Sequence, residues 1–199
     1  MDITIFVLKT RENNTIEQNR IHLLNNGVEL KVIDNTKKSV LHGRLKAYEE
    51  CETSFVSFID DDDISLLTKE QIEKYIALNK EAMYTNSYKQ TRLGRMPLTL
   101  PSLKQWSLAS ELDNKTKPHQ SIIYKTQFAK DLVREAATLT HKHAWSMNTC
   151  DYIMRAIVST GMGWHYEPDI TYVWDTNSLG LHMQQAMLYY DLKRHFFKV

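Results

Sequence analysis

Apolar positions in the first part of the chain form short runs, separated by segments with helical spacing. Ile3-Thr-Ile-Phe-Val-Leu8 is apolar at nearly every position, which reads as a strand covered on both faces. Thr15-Ile-Glu-Gln18 has capping-box spacing and opens a helix that Asn26-Gly27 closes. Leu30-Lys-Val-Ile33 is a second strand, ending at Asp34. Leu41, Leu45 and Tyr48 recur at helical spacing in a segment that ends near Glu50. Phe55-Val-Ser-Phe-Ile59 is a third apolar strand. Thr68-Lys-Glu-Gln71 repeats the capping-box spacing, and Ile72, Tyr75 and Ile76 give its helix one apolar face. Strand and helix therefore alternate three times, the pattern of a parallel sheet with right-handed crossovers. The expected fold class is α/β.

The pattern is less regular after residue 81. Ala82-Met-Tyr-Thr85 reads as a strand. Residues 89–120 contain Pro97, Pro101 and Pro118 without a clear period, so a long functional loop is expected, with some helix near Leu103 to Leu112. Ser121-Ile-Ile-Tyr124 is a short strand, followed by a helix from Thr126. Another helix is expected from about Thr149 to Ser159, stopping at Gly161. Gly163 to Trp174 reads as a strand pair or extended segment, and Met183 to Phe197 as an amphipathic helix packed on the sheet. No repeat or linker interrupts the chain, so residues 1–199 are expected to form a single domain.

Composition narrows the class. The 199 residues are 42% hydrophobic and 25% charged, ordinary globular values, and the formal net charge is +1. Cys51 and Cys150 lack CxxC spacing and suggest neither a zinc site nor a disulfide framework. The first residues read as a strand rather than a signal peptide, and no apolar run reaches the ~18 residues of a membrane span. A cytoplasmic protein is expected.

The chemistry lies at the strand ends. Four consecutive aspartates, Asp60 to Asp63, follow the third strand. Ligands of open α/β sheets bind at the C-terminal ends of the strands. Four adjacent carboxylates repel one another, and a divalent cation carrying a phosphate-rich ligand would offset them. The first strand ends in Thr10-Arg11 and the second in Asp34, so these groups are expected to border one crevice with the aspartates. Neither GxGxxG nor GxxxxGK[ST] is present, so phosphates would have to be held by metal and side chains.

The order of a strand ending Thr10-Arg11, a strand ending Asp34, Gly43-Arg44 on a helix, and Phe-Val-Ser-Phe-Ile-Asp-Asp-Asp-Asp resembles the nucleotide-binding half of GT-A glycosyltransferases. It is closest to the large family-2 group, whose apolar strand runs into Asp-x-Asp. The resemblance implies a single GT-A (Rossmann-like) domain with a mostly parallel central sheet flanked by helices. Residues 1–85 would form the nucleotide-sugar half and 86–199 the acceptor and catalytic half. It implies that Asp60 and Asp62 hold Mn2+ or Mg2+ on the diphosphate of a nucleotide sugar, with UDP the expected nucleotide. The register Asp61-x-Asp63 would serve as well. Thr10, Arg11, Asp34, Arg44, Asp60 and Asp61 would line the donor, Asp34 accepting from the uracil ring. The family usually continues its first strand Pro-Thr-x-Asn, whereas this chain reads Leu8-Lys-Thr-Arg.

Downstream, the family's catalytic carboxylate at a helix start matches Asp151, which would deprotonate the acceptor hydroxyl for inverting displacement. His182 lies where some GT-A enzymes supply a third metal ligand. From Ser87 to Lys130 eight basic residues face only Glu111 and Asp113, with Tyr88, Trp106 and Tyr124 interleaved. Such a surface suits an anionic acceptor, and Trp106, His119 and Gln120 are candidate acceptor contacts. Phage enzymes that glycosylate hydroxymethylated bases of DNA are one expectation, and a cell-surface or capsular glycan is another. The rival classes are a metal-dependent nucleotidyltransferase or phosphohydrolase, and a nucleotide- or nucleic-acid-binding module without catalysis.

Overall fold

The computed structural model describes residues 1–98, 122–160, 164–175 and 194–195. The elements run β1 (Ile3–Lys9), α1 (Thr15–Asn25), β2 (Glu29–Asp34), α2 (Val40–Glu49), β3 (Phe55–Asp60), β4 (Ile64–Ser65) and α3 (Lys69–Leu78). There follow β5 (Ala82–Thr91), β6 (Gly94–Leu98), β7 (Ile122–Lys125), α4 (Thr126–His143), a 3-10 turn (Met147–Thr149), α5 (Cys150–Thr160) and β8 (Trp164–Asp175).

One sheet contains all the strands, in the order β2-β1-β3-β7-β5-β8-β4, with β6 beside β5. The first three are parallel, as the strand-helix alternation requires, and β5 is parallel to β8. Strand β7 runs antiparallel between β3 and β5, so the sheet is mixed. Side chains of β1 alternate between two cores. Phe6 and Leu8 join Tyr48, Phe58 and Leu132 on the α2, α4 and α5 side. Ile3, Ile5 and Val7 join Leu23, Ile72 and Tyr75 on the α1 and α3 side. Helices on both faces explain why β1 reads as a continuous apolar run.

Helix starts follow local chemistry, with one departure. The Thr68 hydroxyl accepts from Gln71 N, and Gln71 Oε1 accepts from Thr68 N, giving the expected capping box of α3. The Thr15 box does not form. Asn13 Oδ1 accepts from both the Thr15 amide and the Thr15 hydroxyl, so that hydroxyl is engaged upstream and Asn14 becomes the N-cap residue. Ser39 caps α2 by accepting from His42 N.

One expectation for the second half is corrected. Residues 89–98 are not loop: β5 continues to Thr91, and β6 returns through the two-residue turn Arg92-Leu93. Pro97 is compatible because, among the described residues, β6 bonds to β5 alone. Of the two readings of 163–174, the extended segment holds: Trp164–Asp175 is a single strand, and its pairing with β5 shifts register around Asn86, whose Nδ2 donates to Pro168 O. The expected helix at 103–112 and the helix from Met183 lie outside the described residues, apart from 194–195. No helix among the described residues is long and apolar enough to cross a membrane.

Candidate active site

The parallel register sets β1, β2 and β3 nearly flush. Lys9 pairs with Asp34, and Leu8 with Asp60, so Thr10-Arg11 leaves the sheet between the two acidic strand ends. The juxtaposition of strand ends expected from the sequence is present. Within it the four aspartates part company.

Asp61 is buried under the β1 exit. Its Oδ2 accepts from Thr10 N at 2.7 Å, Thr10 Oγ1 at 2.6 Å and Arg11 N at 3.2 Å. Asp63 is also buried and points to the other side of the turn. It accepts from Tyr172 Oη and from Asp175 N, each at 2.7 Å, which ties the turn to the end of β8. Asn19 on α1 donates to Asp63 O and accepts from Ser65 N, closing the turn from below. Asp62 receives Arg11 Nη2 at 2.6 Å. Asp60 faces Arg44, whose Nη2 lies 3.7 Å from its Oδ1.

Arg44 is a buried hub. Its Nε and Nη2 donate to the two oxygens of Asp151, each at 2.8 Å, a bidentate pair between α2 and α5. The guanidinium carbon sits 3.7 Å from the Phe58 ring centroid, and Phe58 is braced by Phe6 and Tyr48. Burial pulls the Arg44 pKa down, but Asp151 and then Asp60 outweigh it, and the net shift is upward. With its side chain 2% exposed, Arg44 has little surface to offer a ligand. The resemblance implied a place beside the base and diphosphate; in the structure the guanidinium lies against Asp151 and Asp60.

Burial and neighbouring carboxylates push two of the aspartates up. Asp60 rises to about 7, through desolvation and the charges of Asp151, Asp62 and Asp61, with Arg44 opposing. Asp63 rises to about 9, through desolvation and Asp60, with its bonds from Tyr172 and Asp175 opposing. Asp34 is exposed, and its pKa is lowered by the Thr36 amide, which donates to Oδ1 at 3.0 Å.

No protein-family model matches this sequence, and neither does any curated protein. Solved structures do match it. TarS (residues 1–349) from S. aureus aligns at 12% identity and a TM-score of 0.52, covering 98% of this chain and 72% of that one. TarS 1–349 in complex with UDP-GlcNAc aligns at 14% identity and a TM-score of 0.53, over 96% of this chain and 55% of that one. A glycosyltransferase involved in glycosylation of the major capsid of PBCV-1 aligns at 10% identity and a TM-score of 0.51, over 99% of both chains. The chain has a glycosyltransferase fold. It spans little more than half the TarS chain that carries UDP-GlcNAc and nearly all of the PBCV-1 enzyme.

Within this glycosyltransferase fold, the donor-set chemistry separates the two registers of the aspartate run. Asp61 and Asp63 are 6% and 1% exposed and committed to backbone amides and hydroxyls. Asp60 and Asp62 keep 36% and 18% of their side chains exposed. Two carboxylates suit a hard divalent cation that takes its remaining ligands from phosphate oxygens and water. Among the described residues no three His, Cys, Asp or Glu side chains converge into a complete cation cage. Trp106, His119, Gln120 and His182 lie outside the described residues.

The links of Asp63 to Tyr172 and Asp175, and of Asn19 to the turn, were not anticipated from sequence. Nothing local marks Tyr172: it is one aromatic among several in a strand, and its partner lies 109 residues upstream.

Proposed function

We propose that this protein transfers a sugar from a UDP-sugar to an acceptor hydroxyl, by inverting displacement supported by Mn2+ or Mg2+. The observation that carries the reading is the convergence of Thr10-Arg11, Asp34 and the Asp60/Asp62 pair at adjoining ends of three parallel strands. The likeness to UDP-GlcNAc-bound TarS supports it.

In this reading Asp34 accepts from the imide N–H of the base, and Thr10-Arg11 lies along the nucleoside. Asp60 and Asp62 would hold the cation, which would offset charge on the diphosphate as it leaves. Asp151 takes the proton of the acceptor hydroxyl, whose oxygen bonds to the anomeric carbon as UDP departs with the electron pair of the broken bond. Both Asp151 oxygens accept from Arg44, so Arg44 orients the base rather than touching the sugar. For the acceptor we propose an anionic molecule, with hydroxymethylated DNA and an acidic glycan as the two sources. Residues 82–98 contain Lys89, Arg92 and Arg95 and no acid. The Gln90–Asp175 pairing brings their hairpin beside Asp63 and hence beside the aspartate turn.

Calorimetry of UDP with and without manganese tests the donor half. Manganese-enhanced binding that disappears in Asp62→Ala is expected, and equal binding with and without metal would refute it. A nucleotide-sugar panel offered with glycan and hydroxymethylated-DNA acceptors tests the transfer, and binding without turnover would favour a non-catalytic module.

A further inference from the structure

Arg11 is held by its backbone and loose at its side chain. Asp61 fixes the peptide beneath it through Thr10 N, Thr10 Oγ1 and Arg11 N. Its guanidinium reaches Asp62 Oδ2 at 2.6 Å, yet 54% of the side chain is exposed. The other guanidinium at the turn, Arg44, is 2% exposed and clamped to Asp151. Of these two cations, Arg11 is the one able to leave without unpacking the core. An ion pair this exposed is weak and shifts an equilibrium by about two- to fivefold.

The oxygen that Arg11 occupies belongs to one of the two carboxylates read as the cation's ligands. A guanidinium and a metal ion on one carboxylate repel each other, so the two compete for Asp62. A diphosphate brings the opposite charge to the same place and suits the planar fork of an arginine. We propose that Arg11 is a displaceable counter-ion of Asp62, which the metal must remove and which then moves onto the donor's diphosphate. This rests on the reading of Asp60 and Asp62 as the cation ligands. Its consequence is coupling: metal without nucleotide meets a competitor, and metal with nucleotide gives that competitor a better partner. Neither ligand alone gains what the pair gains.

The test is titration of the full chain with manganese alone, followed by the paramagnetic signal of the free ion, then with UDP at saturating manganese. Arg11→Gln should bind manganese alone about two- to fivefold more tightly than the native chain and UDP-manganese more weakly. Arg11→Lys, which keeps a charge but not the fork, should restore the competition for metal and only part of the UDP affinity. Manganese affinity in Arg11→Gln that is unchanged or reduced would overturn the counter-ion role while leaving the donor reading intact. A native chain that binds no manganese even with UDP would overturn both. Circular dichroism of each variant confirms the fold, and the half-exposed position of Arg11 predicts no change in it.

Discussion

Removing the Asp151 charge should destabilise the protein by more than a surface carboxylate could. Arg44 is buried and donates two hydrogen bonds of 2.8 Å to Asp151. Breaking a buried pair from one side costs about 3–5 kcal/mol, because the remaining charge is stranded in a poor solvent. Two features place Asp151→Asn at the low end, about 3 kcal/mol. An amide oxygen can still accept one bond, and Asp60 at 3.7 Å and the Phe58 ring still attract the guanidinium. Asp151→Leu lacks the acceptor and should approach 5 kcal/mol. In the double variant Arg44→Met/Asp151→Leu both members of the pair are gone, and the loss should fall short of the sum of the singles by about 2–3 kcal/mol. Urea unfolding followed by tryptophan fluorescence and far-ultraviolet circular dichroism measures this. Asp151→Asn should lower the midpoint at an unchanged slope and reduce Tm by roughly 6–12 °C. A loss below about 1 kcal/mol, or strictly additive singles, would refute a buried pair. The result also governs how activity is read. Turnover of Asp151→Asn reports on proton removal only after correction for the folded fraction.

Three further outcomes follow from the same geometry. Gly43→Ala would place a Cβ 2.8 Å from Asn35 Oδ1 and from Leu8 Cδ1, so a loss of about 1–3 kcal/mol is expected in urea unfolding. An unchanged midpoint would mean the α2–β1 contact is looser than the structure has it. Asp61→Asn leaves an acceptor for Thr10 but loses the charge; UDP affinity should fall while manganese-only affinity holds, and a parallel loss of both would make Asp61 a metal ligand. Asp169 has its pKa lowered by the bond from Tyr75 Oη and by Lys74, and Glu167 is lowered by Lys74 and His165 against desolvation. A lowered acid contributes stability that is present above its unfolded pKa and lost as pH falls through the folded one. Acid titration of stability should therefore steepen below the model-peptide values of 3.8 and 4.5, and Asp169→Asn should flatten that limb. An identical acid limb in the variant would remove the group from the account.

Much of the architecture of the first half was legible because its signals are local. Apolar runs of β1 and β3, the Thr68-Gln71 cap and the acidic strand ends depend on neighbours within a few residues. The β5–β6 hairpin was missed because Pro97 suggested loop, and only its place on a strand that, among the described residues, bonds to one neighbour makes proline acceptable there. The aspartate run was legible as a unit but not in its parts. Four like charges suggested a shared cation, yet each side chain finds a different partner, Thr10, Arg11, Arg44 or Tyr172.

The sequence by itself determined which strand ends carry hydroxyl, guanidinium and carboxylate groups, because alternation and spacing decide where a strand stops. Only the tertiary structure decided which carboxylates remain available. Asp61 is consumed by a partner 51 residues away, Asp63 by one 109 away, and Asp151 is drawn to Arg44 across 107 residues. Such partnerships arise when packed layers exclude water and leave each buried charge to find its complement, a constraint that no stretch of neighbouring residues records.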